Sequence, residues 1–162
     1  YAALGMRQAG IKLIGPGDLT PDYKLQGMGD EAVGLITIHH YNADLDNPLN
    51  KRFVATWKKD YGADSSPDFM GVQGYDGMAA IAHIVVTQKG KIDPDGAMAA
   101  LKGWKFNSPQ GPIMIDPNTR DIVMNEYLSE VVKSGGRLMQ KNIGTINAVK
   151  DMCKELKEGK CK

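Results

Sequence analysis

The chain has 162 residues, with 20 basic and 19 acidic side chains and a formal net charge of +1, so it has no basic surplus to build a nucleic-acid groove. Hydrophobic residues make up 42% and charged residues 24%, ordinary values for a globular chain long enough to bury a core. No apolar run reaches the roughly 18 residues of a membrane span, and the three histidines and two cysteines show no metal-ligand spacing.

In chain order, Leu4, Met6 and Ile11 with alanines between them predict a helix over residues 1–10, stopped at Gly10. No capping residue precedes Tyr1, so the chain is expected to be a piece of a longer one. Residues 12–14 predict a short strand, 15–18 a turn, and Thr20-Pro21-Asp22 the capped start of a short helix. The β-branched run 34–41 predicts a buried strand. Asn47-Pro48 opens a helix with Leu49, Phe53 and Trp57 on one side and Lys51, Arg52, Lys58 and Lys59 on the other, ended by Gly62. Residues 68–88 predict a long helix whose apolar second half, 78–86, is expected to be buried on most sides. Asp93-Pro94 caps a further helix that runs to Gly103. Beyond it, two strands flank the turn 116–119, Ser134-Gly135-Gly136 makes a second turn, and the tail is helical. Strand alternating with helix in the first half predicts an α/β fold. Two parallel strands are too few for a doubly wound sheet, so the rest of the sheet is expected from residues outside this chain.

The strand-to-helix turn Gly15-Pro16-Gly17-Asp18 is not a phosphate cradle. Pro16 has no N–H to offer and Asp18 places a negative charge where the phosphate would sit. Two readings stay open: a ligand turn at a strand's carboxyl end, or a plain turn. No serine sits in a nucleophile-elbow pattern and the carboxylates are scattered singly, so an enzyme is not expected. His39 and His40 end a strand; side chains alternate there, so at most one is expected to face a site. Gly71, Gly74 and Gly77 recur at the head of the long helix, where either a close-packed neighbour or a flat ligand fits, flanked by Phe69, Met70 and Tyr75. Cys153 and Cys161 would be about 12 Å apart along a straight helix, too far for a disulfide. Gly159 can fold the chain back, so a bridge is expected, with two separate thiols as the alternative.

The stretches GIKLIGPGDLTPDYKLQGMGDEAVGLITIHHY, PDFMGVQGYDGMAAIAHIV and GPIMIDPNTRDIVMNEYL, in that order, resemble the leucine/isoleucine/valine-binding family. These are the extracytoplasmic solute-binding proteins of ABC transporters with the type I periplasmic binding fold, and the resemblance is strongest to the subgroup that binds aromatic acids. It implies an α/β protein of two Rossmann-like lobes, of which this chain is the C-terminal half. Residues 1–41 would belong to lobe 2, 42–127 to lobe 1, and 128–162 would return to lobe 2 and form the tail. The hinge would include Tyr41, Asn42, Asp44 and Tyr127. The implied ligand contacts are Gly17, Asp18, His39, His40, Phe69 and Met70, with no cofactor and no metal. Gly17 falls where amino-acid binders of the family carry an acid for the ligand's ammonium, which favours a carboxylate with an apolar or hydroxylated far end, such as a benzoate derivative. The implied partners are that small carboxylate, the N-terminal half of the same protein and a membrane permease. The implied location is periplasmic, after removal of a signal peptide. A sensory ectodomain of the same fold and a branched-chain amino-acid binder are the alternatives.

Overall fold

A computed structural model describes residues 1–91 and 93–156. Strand β1 (Ile14–Pro16) leads through short helical turns, including α1 (Asp22–Leu25), to β2 (Ile36–His39). Helices α2 (Pro48–Tyr61), α3 (Phe69–Thr87) and α4 (Pro94–Leu101) follow. Then come β3 (Lys105–Ser108), β4 (Gly111–Ile115), β5 (Ile122–Ser134), β6 (Arg137–Val149) and α5 (Met152–Leu156). The helices start where the sequence caps them. The Asn47 side chain accepts from Asn50 N at 2.8 Å, and Asp68 accepts from Gly71 N at 3.0 Å, each satisfying an otherwise unpaired amide.

β5 organises the sheet, whose order is β1-β2-β5-β4-β3 with β6 on the other edge of β5. β1 and β2 are parallel, with Ile14 opposite Ile36. β5 is antiparallel to β2, with His39 opposite Tyr127, and its first residues pair with β4. Its pairing with β6 slips between Met124 and Glu126 and again between Leu128 and Ser129. Such irregularities let a strand bend, and they flank Tyr127. One hydrophobic cluster joins Leu25, Ala32, Leu35, Val131 and Leu138. A second joins Tyr41, Leu45, Val72 and Tyr127, with Phe53 and Phe69 against it.

Several expectations change. Residues 1–10 form hydrogen-bonded turns rather than a helix, because Gly5 takes a left-handed φ of 65° in mid-segment. β1 runs on into Pro16. Thr20 is buried and does not cap; Pro21 flanks α1 instead, with no side-chain cap. β3 is a strand that the sequence reading leaves unassigned. The apolar half of α3 is not buried: Met78 is 63% exposed, Ile81 52% and Val86 76%. Cys153 heads α5, whereas the expected pairing falls outside the described residues at Cys161.

Candidate functional site

The carboxyl ends of β1 and β2 and the start of α3 converge on one cluster of rings. After β1 the chain turns tightly through Gly17–Leu19, which sets Asp18 Oδ1 3.4 Å from His39 Nε2. Gly17 is required for that approach. A Cβ at this position would sit 2.5 Å from both Cβ and Cγ of His39. The ring centroids of His39 and His40 are 4.4 Å apart, and Phe69 lies 4.6 Å from His39 and 6.2 Å from His40, edge-on to the latter. Edge-to-face and offset arrangements are the favoured ones for such rings. Both histidines thus join one cluster, against the alternation rule, because β2 ends at His39 and the chain bends at His40. Met70 follows Phe69 on the first turn of α3 and is 64% exposed.

The cluster is electrically quiet. Burial pulls the His40 imidazolium down to about 4, with neighbouring His39 adding to the shift and a backbone hydrogen bond at Phe69 opposing it. Burial also holds His39 below its ordinary value, opposed by Asp18. At neutral pH two uncharged imidazoles and a phenyl ring therefore stand beside one acidic side chain. Gln73 Nε2 lies 3.4 Å from His40 Nε2 and adds an amide at the rim. Among the described residues no lysine or arginine is paired with this cluster. It offers hydrogen-bonding nitrogens, a carboxylate acceptor and stacking faces, which suit the hydroxylated end of a flat ring.

Behind the cluster lies the segment that links β2 to α2. Tyr41 donates to Asn50 Oδ1 at 2.8 Å, Asn42 Nδ2 donates to Ser129 Oγ at 3.0 Å, and Asp44 accepts from Arg137 at 2.8 Å and from Gln140 N at 2.9 Å. Tyr127 is buried beside Tyr41 and donates to the carbonyl of Gln110. The four residues expected at the hinge therefore sit together, on two chain segments that run side by side. A buried polar belt of Thr20, Thr37 and Gln140 adjoins them, with Thr20 Oγ1 3.3 Å from Thr37 Oγ1 and Gln140 Nε2 donating to the Thr20 carbonyl at 3.0 Å. Sequence reasoning misses this belt, since Gln140 is 120 residues from Thr20 and carries no local motif.

The glycines of α3 divide. Gly71 is pressed on the Trp57 ring, where a Cβ would come within 3.1 Å, while Gly74 and Gly77 meet open space. Between α2 and α3 runs a groove of about 880 Å³ lined by Phe53, Trp57, Tyr75 and Met78.

Residues 1–137 match a family profile described as periplasmic binding protein. The chain is 39% identical over 146 residues to Leu/Ile/Val-binding protein homolog 6 of Brucella abortus (strain 2308), covering 90% of this chain and 37% of that protein. It is also similar to the solved solute binding protein of an ABC transporter from Rhodopseudomonas palustris BisB5 in complex with 3,4-dihydroxy benzoic acid. That match has a TM-score of 0.87 and 46% identity over 94% of this chain and 42% of the other. The solute binding protein of an ABC transporter from Rhodopseudomonas palustris HaA2, in complex with p-hydroxybenzoic acid, matches with a TM-score of 0.87 and 36% identity over 94% and 41%. The chain spans about two fifths of the length of these proteins.

Proposed function

The chain belongs to the periplasmic binding protein family, and on that premise we propose that it is part of the periplasmic solute-binding component of an ABC transporter, taking a small aromatic carboxylate. The observation that carries this reading is the ring cluster of His39, His40 and Phe69 with Asp18 beside it. The ligand's ring stacks among these side chains, and a ring hydroxyl exchanges hydrogen bonds with Asp18 and a histidine. Met70 adds a polarisable contact at the ring edge. The ligand's own carboxylate is held from the opposite lobe by parts of the protein outside this chain. Ligands of this kind in the two Rhodopseudomonas proteins support the class.

Residues 1–41 and 128–162 contribute to one lobe and 42–127 to the other, with the hinge at Tyr41, Asn42, Asp44 and Tyr127. Closure is stabilised by as much as the ligand prefers the closed form, and the closed form is what a membrane permease receives. The remaining part of the protein covers the open face of α3, where Met78, Ile81 and Val86 stand exposed; an apolar patch of this size is uncommon on a free surface. Calorimetry on the full-length protein tests the ligand class. Benzoate derivatives should bind more tightly than leucine, and tight leucine binding with no response to benzoate or 4-hydroxybenzoate would refute the reading.

A further inference from the structure

We propose that Asp76 and Gln110 form the polar floor of a second binding site, outside the ring cluster, for a cationic N–H donor: an ammonium or guanidinium head on a short apolar stem. Asp76 lies about two turns into α3 and is 7% exposed, and Gln110 lies in the turn between β3 and β4 and is 2% exposed. Gln110 Nε2 donates to Asp76 Oδ2 at 2.5 Å. The second oxygen of each group, Asp76 Oδ1 and Gln110 Oε1, is buried with no hydrogen-bond partner. Both residues line a pocket of about 280 Å³, whose walls include Gly77 of α3, Ile113 of β4, and Ile122 and Met124 of β5. Gln73, which touches His40, lines it too, so the two sites adjoin. The turn that carries Gln110 is fixed from three sides. Gln110 N donates to Ser108 Oγ at 3.1 Å, Asn47 Nδ2 donates to the Pro109 carbonyl at 2.9 Å, and the Tyr127 hydroxyl donates to the Gln110 carbonyl. The main chain and amide nitrogen of Gln110 are thus engaged, and its Oε1 alone stays unmatched.

An unmatched buried acceptor is costly, and more so on a charged group. Burial pushes the Asp76 carboxyl above its ordinary value, and hydrogen bonds from Ser108 and Gln110 oppose that. Among the described residues no lysine or arginine pairs with Asp76, and no cluster of acids, histidines or cysteines makes a metal site. The pocket far exceeds the roughly 10–15 Å³ that one water needs, yet its walls are largely apolar, and two oxygens cannot satisfy a group of waters that want roughly two to four polar partners each. A neutral alcohol would leave the carboxylate buried without a counterion. An ammonium or guanidinium carries several N–H donors, so one head serves both oxygens and neutralises the charge while its stem packs on the apolar walls. The head arrives either on a small amine from solution or on a lysine or arginine from a part of the protein outside this chain.

The test uses full-length protein, melted with n-propylammonium, ethylguanidinium or 1-propanol, as wild type and as Asp76→Asn. The variant keeps an oxygen for Gln110 Nε2 and offers its own amide to Gln110 Oε1, so it needs no guest. If the head comes from solution, both cations should raise the wild-type melting temperature saturably, propanol should not, and the variant should bind the cations at least about ten-fold more weakly. If it comes from the rest of the protein, the cations should have no effect and the variant should melt several degrees lower, because a buried cation loses its partner. A crystal structure of the wild type should then place a lysine or arginine nitrogen at hydrogen-bond distance from Asp76 Oδ1 and Gln110 Oε1. Cations that act no better than propanol or stabilise both proteins equally overturn the proposal, as does no cation response together with no basic nitrogen at the two oxygens. Should the variant not fold, wild-type crystals soaked in ethylguanidinium decide. A nitrogen bonded to both oxygens supports the site, and waters alone or a direct bond between the two oxygens overturns it. No outcome involves an aromatic acid, so failure here is distinct from failure of the ligand reading above.

Discussion

Gly17→Ala probes the contact on which the site depends. The added Cβ would lie 2.5 Å from two atoms of His39, about 1 Å inside ordinary carbon–carbon contact. One of those atoms is the His39 Cβ, which no rotamer change can move. The loop or the end of β2 must therefore shift, and overpacking of this kind costs about 1–3 kcal/mol. The shift also parts Asp18 from His39, now 3.4 Å apart, so affinity for an aromatic acid should drop about ten-fold or more, the equivalent of about 1.4 kcal/mol. The assay is equilibrium unfolding of full-length protein in a double-mutant cycle with His39→Gly, which removes the three atoms nearest the new methyl group. Gly17→Ala should cost about 1–3 kcal/mol beside histidine and within about 0.5 kcal/mol of nothing beside glycine. A penalty of the same size in both backgrounds would refute the reasoning.

Three further outcomes are expected. His40 is held neutral in the fold, down to about 4, so between there and its unfolded value near 6.5 the unfolded chain binds more protons. Its contribution is present above pH 6.5 and lost as pH falls toward 4; His40→Gln should remove that slope, which parallel melts at pH 4.5 and 7 will show. Cys153 and Cys161 should be bridged in the mature protein, so alkylation before and after reduction should differ by two thiols, and an unchanged count contradicts the bridge. Residues 1–162 produced alone, with the apolar half of α3 exposed, should self-associate; a monomer with a cooperative melting transition on a sizing column argues against the covered face.

What the sequence made legible was local. Asn47-Pro48 announces α2 because the Asn47 side chain acts on an amide three residues away, and the β-branched run around Ile36 marks β2 in the same local way. The pairing of β5 with β2, β4 and β6 joins distant residues and leaves no local trace. The apolar half of α3 follows the same logic: its pattern reports that something covers it and not whether that cover lies in the same chain, and here Met78, Ile81 and Val86 stand exposed. Gly17, Asp18, His39, His40 and Phe69 stand out locally, at a strand-end turn, a strand end and a helix head, the resemblance implies them as ligand contacts, and the structure brings them together. That both histidines share the cluster depends on where β2 ends, which a run of strand-forming residues does not mark. Asp22 reads as a helix-start acid, and its bonds from Ala43 N and from Gln140, 118 residues away, leave no local trace.

The central claim is that the hydroxylated end of an aromatic acid lies among Asp18, His39, His40 and Phe69. A crystal structure of the full-length protein with 4-hydroxybenzoate tests it most directly. The account predicts the phenolic oxygen within hydrogen-bond distance of Asp18 or a histidine nitrogen, the ring against Phe69, and the carboxylate directed to the opposite lobe. A carboxylate seated against Asp18, or a ligand bound away from these side chains, would contradict it.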